Sequence, residues 1–274
     1  MRVGISTWVY ATLPIEEAVQ RIHGAGLRYV ELWGNTPTHL DPVTHPRVRA
    51  TEVAVVLRAF DITPVTLHAP FLNLDLASVD EGVRASSVVS AVRSVEFCRH
   101  LPCPQLVLHV SASPGVKGET ARGAAWRSTV ESLEEITAHA SRKGVTILLE
   151  NMVIHSGYLR VGSTVQELLE LVRRFQDRGV GLCIDTGHSL LNQQDPSEDI
   201  RRAGCHLRSL HINDNDGTTD SHLVPGRGRI EWPAVHAALQ EIQYSGVFLF
   251  EIYGYEAIPE TIAQAKAYAR RVLA

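Results

Sequence analysis

The sequence predicts an α/β chain folded as one closed (β/α)8 barrel, and three observations point there. Strand-like and helix-like segments alternate from end to end, with no linker or change of composition between them. They make eight strand–helix units in 274 residues, close to the roughly 250 residues that one such barrel takes. Finally, apolar runs end one after another on histidine, aspartate or glutamate, and barrels of this kind gather their chemistry at the C-terminal strand ends. An open doubly wound sheet also alternates, but its nucleotide site carries a glycine-rich first turn. The first turn here, Thr7-Trp8-Val9-Tyr10, has no glycine. Residues 1–274 are therefore expected to form a single domain.

The elements follow in order. Val3 to Trp8 reads as the first strand, and Pro14 opens a helix with Ile15, Val19 and Ile22 at helical spacing. Gly24 and Gly26 are stop signals for it. Tyr29 to Trp33 is the second strand, and the Pro- and Thr-rich stretch Asn35 to Pro46 is a loop whose His39 and His45 are expected in solvent. A helix over Arg47–Ala59 leads to a strand at Pro64–His68, and a third helix over Glu81–Cys98 carries Val88, Val92 and Val95 on one face. Gln105–His109 is strand four, followed by a Gly/Ser/Pro loop and a helix striped by Trp126, Val130, Leu133 and Ile136. Val145–Glu150 is strand five, and Ser163-Thr164 supplies an N-cap for a helix bearing Val165, Leu168, Leu169 and Val172. Val180–Asp185 is strand six, with a short helix near Pro196–Ala203 after it. Leu207–Asn213, a polar loop to Arg229, a helix from Glu231, a strand at Val247–Ile252 and a helix from Pro259 complete the chain.

Composition limits the function classes. With 45% hydrophobic and 20% charged residues the chain can bury a sizeable core. A net charge of -4 with histidine neutral gives no whole-protein attraction to nucleic acid or an anionic membrane. Cys98, Cys103, Cys183 and Cys205 show no CxxC pairing and are expected to be reduced, buried small hydrophobes. The first residues run straight into a strand pattern without a signal-peptide apolar region, and no apolar run approaches the ~18 residues of a membrane span. A cytoplasmic protein without a membrane partner is expected, with a homo-oligomer open.

The strand ends carry the chemistry. Val180-Gly181-Leu182-Cys183-Ile184 ends on Asp185, and His188 follows three residues later. Nothing inside a buried parallel strand favours a charge, and a carboxylate at its tip is costly to desolvate unless a partner or a cation neutralises it. His68, His109, Glu150, His211 and Glu251 end other runs in the same way, and Asp220 and His222 stand two apart in one short segment. Alternate residues of an extended segment share a face. One strand-end histidine is ordinarily a hydrogen-bonded core residue, and one buried carboxylate ordinarily pairs with arginine or caps a helix. The recurrence has no such structural purpose. Imidazole and carboxylate without thiolate suit Mn, Zn, Fe or Co. Glu150, Asp185, His211 and Glu251 could enclose one ion; the others need a second or third ion, or serve the substrate. Glu31, Trp8 and Arg227 are candidate substrate contacts, with Trp33 and Phe71 as pocket walls, and Asn151 and Asn213 as supports for the ligands.

Taken together, Leu67-His68-Ala69-Pro70, Leu149-Glu150-Asn151, Ile184-Asp185-Thr186-Gly187-His188, Leu210-His211-Ile212-Asn213-Asp214, Asp220-Ser221-His222-Leu223-Val224-Pro225-Gly226-Arg227-Gly228 and Phe250-Glu251 resemble the xylose-isomerase-like TIM barrel superfamily. The resemblance spans essentially the whole chain. Single-metal ketose epimerases of that superfamily hold Mn or Co with residues matching Glu150, Asp185, His211 and Glu251. By that likeness the two glutamates exchange a proton next to a substrate carbonyl, and His188 hydrogen-bonds the substrate. Those epimerases also carry a Glu shortly after the first metal Glu, where this chain has His155 and Ser156, and an Arg after the metal His, where Asn215 to Gly217 stand here.

Endonuclease IV, a three-zinc member, has counterparts here for all nine ligand types, with His68, His109, His188, Asp220 and His222 included. It reads Asp-Thr-Cys-His where this chain reads Asp-Thr-Gly-His, and Gly-Glu-Gly where this chain reads Gly-Arg-Gly. The resemblance therefore implies a metal-dependent isomerase or epimerase of a small sugar, sugar phosphate or related polyol, using one to three divalent ions. A trinuclear zinc phosphodiesterase acting on abasic DNA is the alternative, and a non-catalytic sugar- or metal-binding barrel is a third.

Overall fold

Eight parallel strands define the architecture: β1 (Arg2–Ser6), β2 (Tyr29–Trp33), β3 (Thr63–His68), β4 (Gln105–Leu108), β5 (Thr146–Glu150), β6 (Val180–Asp185), β7 (Leu207–His211) and β8 (Val247–Phe250). The structure, a computed structural model, describes residues 1–253 and 257–273. From β1 to β7 each strand pairs with the next, and β1 pairs with β8. The remaining seam closes through Ile212, whose N–H donates to Leu249 O at 2.8 Å and whose carbonyl accepts from Glu251 N–H at 3.1 Å. A sheet closed in this way has no free edge, and the chain forms a single-domain TIM barrel.

The outer layer is made by α1 (Ile15–Gly24), α2 (Pro46–Ala59), α3 (Glu81–Arg99), α4 (Glu119–Lys143), α5 (Val165–Arg174), α6 (Thr186–Leu191), α7 (Pro196–Ala203), α8 (Trp232–Glu241) and α9 (Ile258–Val272). In α5 the predicted stripe Val165, Leu168, Leu169 and Val172 is buried against the barrel. Each such side chain contributes roughly 1.5–3 kcal/mol relative to exposure. Thr164 caps this helix by accepting from Glu167 N–H at 3.2 Å, and Asp80 caps α3 from Val83 N–H at 3.0 Å, each satisfying an end donor that the helix itself cannot.

Register places the strand tips. Asp185 on β6 aligns with His211 on β7, so two predicted ligands are cross-strand neighbours. The pairing of β6 with β7 shifts between Leu182 and Cys183, and that of β2 with β3 between Val30 and Glu31. Such irregularities re-aim the side chains that follow them. Both fall just before residues that meet beneath the barrel mouth.

Three local expectations are corrected. His39 is fully buried rather than in solvent: its Nδ1–H donates to Leu13 O at 2.6 Å, and Nε2 lies 3.0 Å from the Thr7 hydroxyl. The Pro-rich loop folds beneath the end of β1 and pins it there. Cys205 is exposed, on the turn before β7, while Cys98, Cys103 and Cys183 are buried as expected. Asp220-Ser221-His222 is not regular extended chain, because His222 is left-handed with φ 42°. No helix among the described residues is long and apolar enough to cross a membrane.

Candidate active site

The site is built around His211 at the end of β7. Its Nδ1 lies 3.0 Å from Glu150 Oε1 and 3.3 Å from Glu251 Oε2, while Nε2 lies 3.0 Å from Glu31 Oε2. Glu150 ends β5, and Glu251 is the first residue past β8. The second oxygen of Glu150 meets His68 Nε2 at 3.2 Å and His109 Nε2 at 3.1 Å. A second group lies beside the first. Asp220 reaches His188 Nε2 and His222 Nε2, each at 3.3 Å. All nine predicted ligands thus converge at one end of the barrel.

Backbone carbonyls set the imidazoles. His68 Nδ1–H donates to Ala69 O at 2.9 Å, His188 Nδ1–H to Asn151 O at 2.8 Å and His222 Nδ1–H to Glu251 O at 2.8 Å. In each ring this commits Nδ1 to the backbone and turns Nε2 inward, the edge that a metal-binding histidine presents to its ion. Asp185 is held as firmly. Its Oδ1 accepts from His188 N–H at 2.7 Å and its Oδ2 from Asn213 Nδ2 at 2.7 Å, while its backbone N–H donates to Asn151 Oδ1 at 2.8 Å. Asn151 and Asn213 therefore both hold Asp185 in place. The strand-to-helix turn needs Gly187, because a Cβ there would meet Asn213 Oδ1 at 2.0 Å.

The donor set suits a divalent cation. One ligand atom from each of Glu150, Asp185, His211 and Glu251 lies within 4.8 Å of the others; His68, Glu150 and His211 form one further such group, and Asp185, His188 and His222 another. Among the described residues the ion-pair partners of Glu31, Glu150, Asp185, Asp220 and Glu251 are all histidines, with no lysine or arginine. Nearly all of this is shielded from water. Carboxylates crowded in this way are expensive without positive charge. Nitrogen and oxygen donors without thiolate fit Mn, Co or Zn.

The carboxylates respond differently to the crowding. Burial raises the Glu251 carboxyl to about 7, with Glu150 and Glu31 adding to the shift and His211 and His222 opposing it. Burial also acts to raise Glu150, but the charges of His211 and His109 and their hydrogen bonds outweigh it and hold Glu150 well below its ordinary value. For His188, burial acts to lower the pKa, and Asp185 and Asp220 overcome it to give about 10. His109 goes the other way, down to about 4, because burial outweighs its contact with Glu150.

Above this floor lies a cavity of about 760 Å3, within the range of small-molecule sites. Trp8, Trp33 and Phe71 wall it, as expected. Trp8 packs edge-on to His222 at 4.6 Å between ring centroids, and Phe71 stacks on His109 at 4.3 Å. Two predicted substrate contacts lie elsewhere. Glu31 is wholly buried below the floor and bonds His211 and Thr66 instead, because its strand position points it into the barrel beneath the ligands. Arg227 is exposed on the loop before α8 and does not line the cavity. Arg160, Asp75, Ser113 and His155 do line it, and sequence reasoning did not single them out. They lie in loops where no periodicity or motif marks them.

Comparison with known proteins agrees with this geometry. The family model described as "Xylose isomerase-like TIM barrel" matches residues 19–272. An uncharacterized protein of Methanocaldococcus jannaschii is 28% identical over 261 residues, covering 92% of this chain and 83% of its own. A probable endonuclease 4 of Aquifex aeolicus is 30% identical over 182 residues, covering 61% of this chain and 62% of its own. The crystal structure of a D-tagatose 3-epimerase-like protein superimposes with a TM-score of 0.84 at 25% identity, covering 100% of this chain and 97% of that one. With barrel, strand-end carboxylates and imidazoles, and family model in agreement, the chain belongs to the xylose isomerase-like TIM barrel family.

Proposed function

We propose that the protein is a metal-dependent isomerase or epimerase of a small sugar or sugar phosphate, working by proton transfer next to a carbonyl. One observation carries this reading. Glu150 and Glu251, from β5 and β8 with two strands between them, approach the same His211 Nδ1 at 3.0 and 3.3 Å at the floor of one cavity. Two carboxylates that flank one point can act on opposite faces of a substrate carbon held there, one removing a proton and the other returning it. Glu150, Asp185, His211 and Glu251 would hold the cation. When bound, a divalent cation supplies Lewis-acid polarisation of a carbonyl oxygen. His188 would donate a hydrogen bond to substrate, while Trp8 and Phe71 give the cavity apolar walls. The likeness to the epimerase-like structure supports the same class.

The test is solvent exchange. In deuterated water, with Mn supplied and a panel of ketoses and ketose phosphates, the wild type should exchange a C–H proton of its substrate. Glu150→Gln and Glu251→Gln should each abolish that exchange, with metal content measured in parallel. Exchange retained in both variants would remove the acid–base pair.

A second reading, phosphodiester hydrolysis at abasic sites in DNA, is supported by the second ligand group of Asp185, His188 and His222, which Asp220 extends. It expects chelator-sensitive incision of an abasic duplex. A clean absence of cleavage with Zn or Mn supplied eliminates it.

A further inference from the structure

We infer that Arg160 is the binding group for an anionic substituent, phosphate or carboxylate, on the sugar that the cavity accepts. This rests on the reading of the site as one for a small sugar and names the class of sugar. Arg160 lies in the loop between β5 and α5, is only 5% exposed and lines the cavity. Its Nη1 donates to Val153 O at 3.1 Å and its Nη2 to Ser111 O at 3.0 Å, which holds the guanidinium between the loops after β4 and β5. Among the described residues no carboxylate forms an ion pair with it, and its buried Nε has no acceptor. Glu150 and Asp75 are the acidic groups whose charge it feels, and both face the same cavity. Asp75 Oδ1 is already bound by the backbone N–H groups of Ala77 and Ala112, each at 3.0 Å.

A guanidinium this deeply buried is costly unless an anion neutralises it. Two backbone carbonyls satisfy two of its donors without supplying negative charge. The second N–H groups of Nη1 and Nη2 suit the paired oxygens of a phosphate or carboxylate. Ser113 and His155 stand on the same wall, with Ser113 Oγ 2.8 Å from His155 Nε2, and either can add a donor. The cavity therefore offers a cation-binding floor for the reacting end of a sugar and a guanidinium wall for a charged end.

Binding of unreactive ligands tests this apart from the reaction. Ribitol, ribitol 5-phosphate and ribonate share a carbon skeleton and lack the carbonyl that the proposed chemistry needs. Titrated calorimetrically into the Mn-loaded protein, one or both anionic compounds should bind about tenfold or more tighter than ribitol, as a charge-assisted pair would give. Which of the two is preferred distinguishes phosphate from carboxylate. The preference should fall to near unity in Arg160→Gln and return in part in Arg160→Lys, which keeps the charge. Circular dichroism and melting temperature establish that both variants are folded. Equal binding of the three compounds by the wild type, no binding of either anion, or a preference unchanged in Arg160→Gln would each overturn the assignment and leave Arg160 as a tie between two loops. Failure of solvent exchange on every ketose, with the anion preference intact, would instead count against the epimerase reading alone.

Discussion

Glu31 and His211 form a buried carboxylate–imidazole pair beneath the candidate metal centre, with Glu31 Oε2 3.0 Å from His211 Nε2. The same oxygen accepts from the Thr66 hydroxyl at 2.9 Å. Burial acts to raise the Glu31 pKa, but the charge of His211 and its hydrogen bond outweigh it, so Glu31 stays below its ordinary value. The pair fixes the orientation of the His211 ring: with Nε2 engaged below, Nδ1 faces Glu150 and Glu251. A partner of this kind also raises the basicity of a ligating imidazole.

Glu31→Gln keeps the shape and an acceptor oxygen but removes the charge. Affinity for Mn should fall by about tenfold, the low end for loss of such a supporting partner. Competition against a fluorescent chelator reads this directly. An unchanged affinity would assign Glu31 to packing alone.

Gly187→Ala tests how tightly Asp185 is held. The new Cβ would meet Asn213 Oδ1 at 2.0 Å and Asn215 Nδ2 at 2.9 Å, and Asn213 could not keep its 2.7 Å bond to Asp185. Overpacking of this kind costs about 1–3 kcal/mol. Urea denaturation should show that loss, and metal content should fall with it. Wild-type values of both would mean that the asparagine side chains can rearrange freely.

Much of this was legible in the sequence, for physical reasons. Parallel strands buried on both faces must be apolar runs, so a run such as Val180–Ile184 announces β6 and makes the carboxylate that ends it conspicuous. His68, Glu150, Asp185, His211 and Glu251 could be read on that ground alone. Glu31 shows the limit: it stands in the middle of an apolar strand, and whether it faces the cavity or lies below it depends on a register shift between Val30 and Glu31. For His39, Pro and Thr composition describes an exposed loop, and nothing local reveals that Thr7 and Leu13 fold over it. Arg160 lies ten residues beyond Glu150 in an irregular loop. Val153 of its own loop and Ser111 of the loop after β4 together give it a place.

The loop between β7 and α8, which brings Asp220 and His222 to the site, is anchored by one carboxylate. Asp214 Oδ1 accepts from Asn215 N–H at 3.0 Å and Ile230 N–H at 3.1 Å; Oδ2 accepts from Gly226 N–H and Trp232 Nε1–H, each at 2.8 Å. Asp214→Ala leaves these donors without their acceptor and should cost about 3 kcal/mol, since a hydrogen bond to a charged group is worth about 1.5–3 kcal/mol and neighbours share the loss. Limited proteolysis should then cut first between 215 and 229, while the rest of the barrel resists. Cleavage elsewhere, or none, would show that the loop is held by other contacts.

His39 should give the protein part of its acid sensitivity. Burial lowers its pKa below 6.5, helped by Arg49 and opposed by the hydrogen bond to Leu13 and the charge of Glu16. The folded state therefore binds fewer protons than the unfolded chain once pH falls below about 6.5. Stability from the neutral, buried ring is present above that pH and is lost as pH falls from there through the folded-state pKa. His39→Asn keeps a donor for Leu13 but cannot titrate. At pH 7.5 it should be less stable than wild type by about 1 kcal/mol, the worth of a strained or lost buried hydrogen bond. At pH 5.5 the gap should narrow, because only the wild type carries the cost of charging or keeping neutral a buried imidazole. The histidines of the metal site titrate in both proteins and cancel in the difference. Denaturant titrations at the two pH values measure it, and a gap that stays constant would show that His39 does not titrate with unfolding.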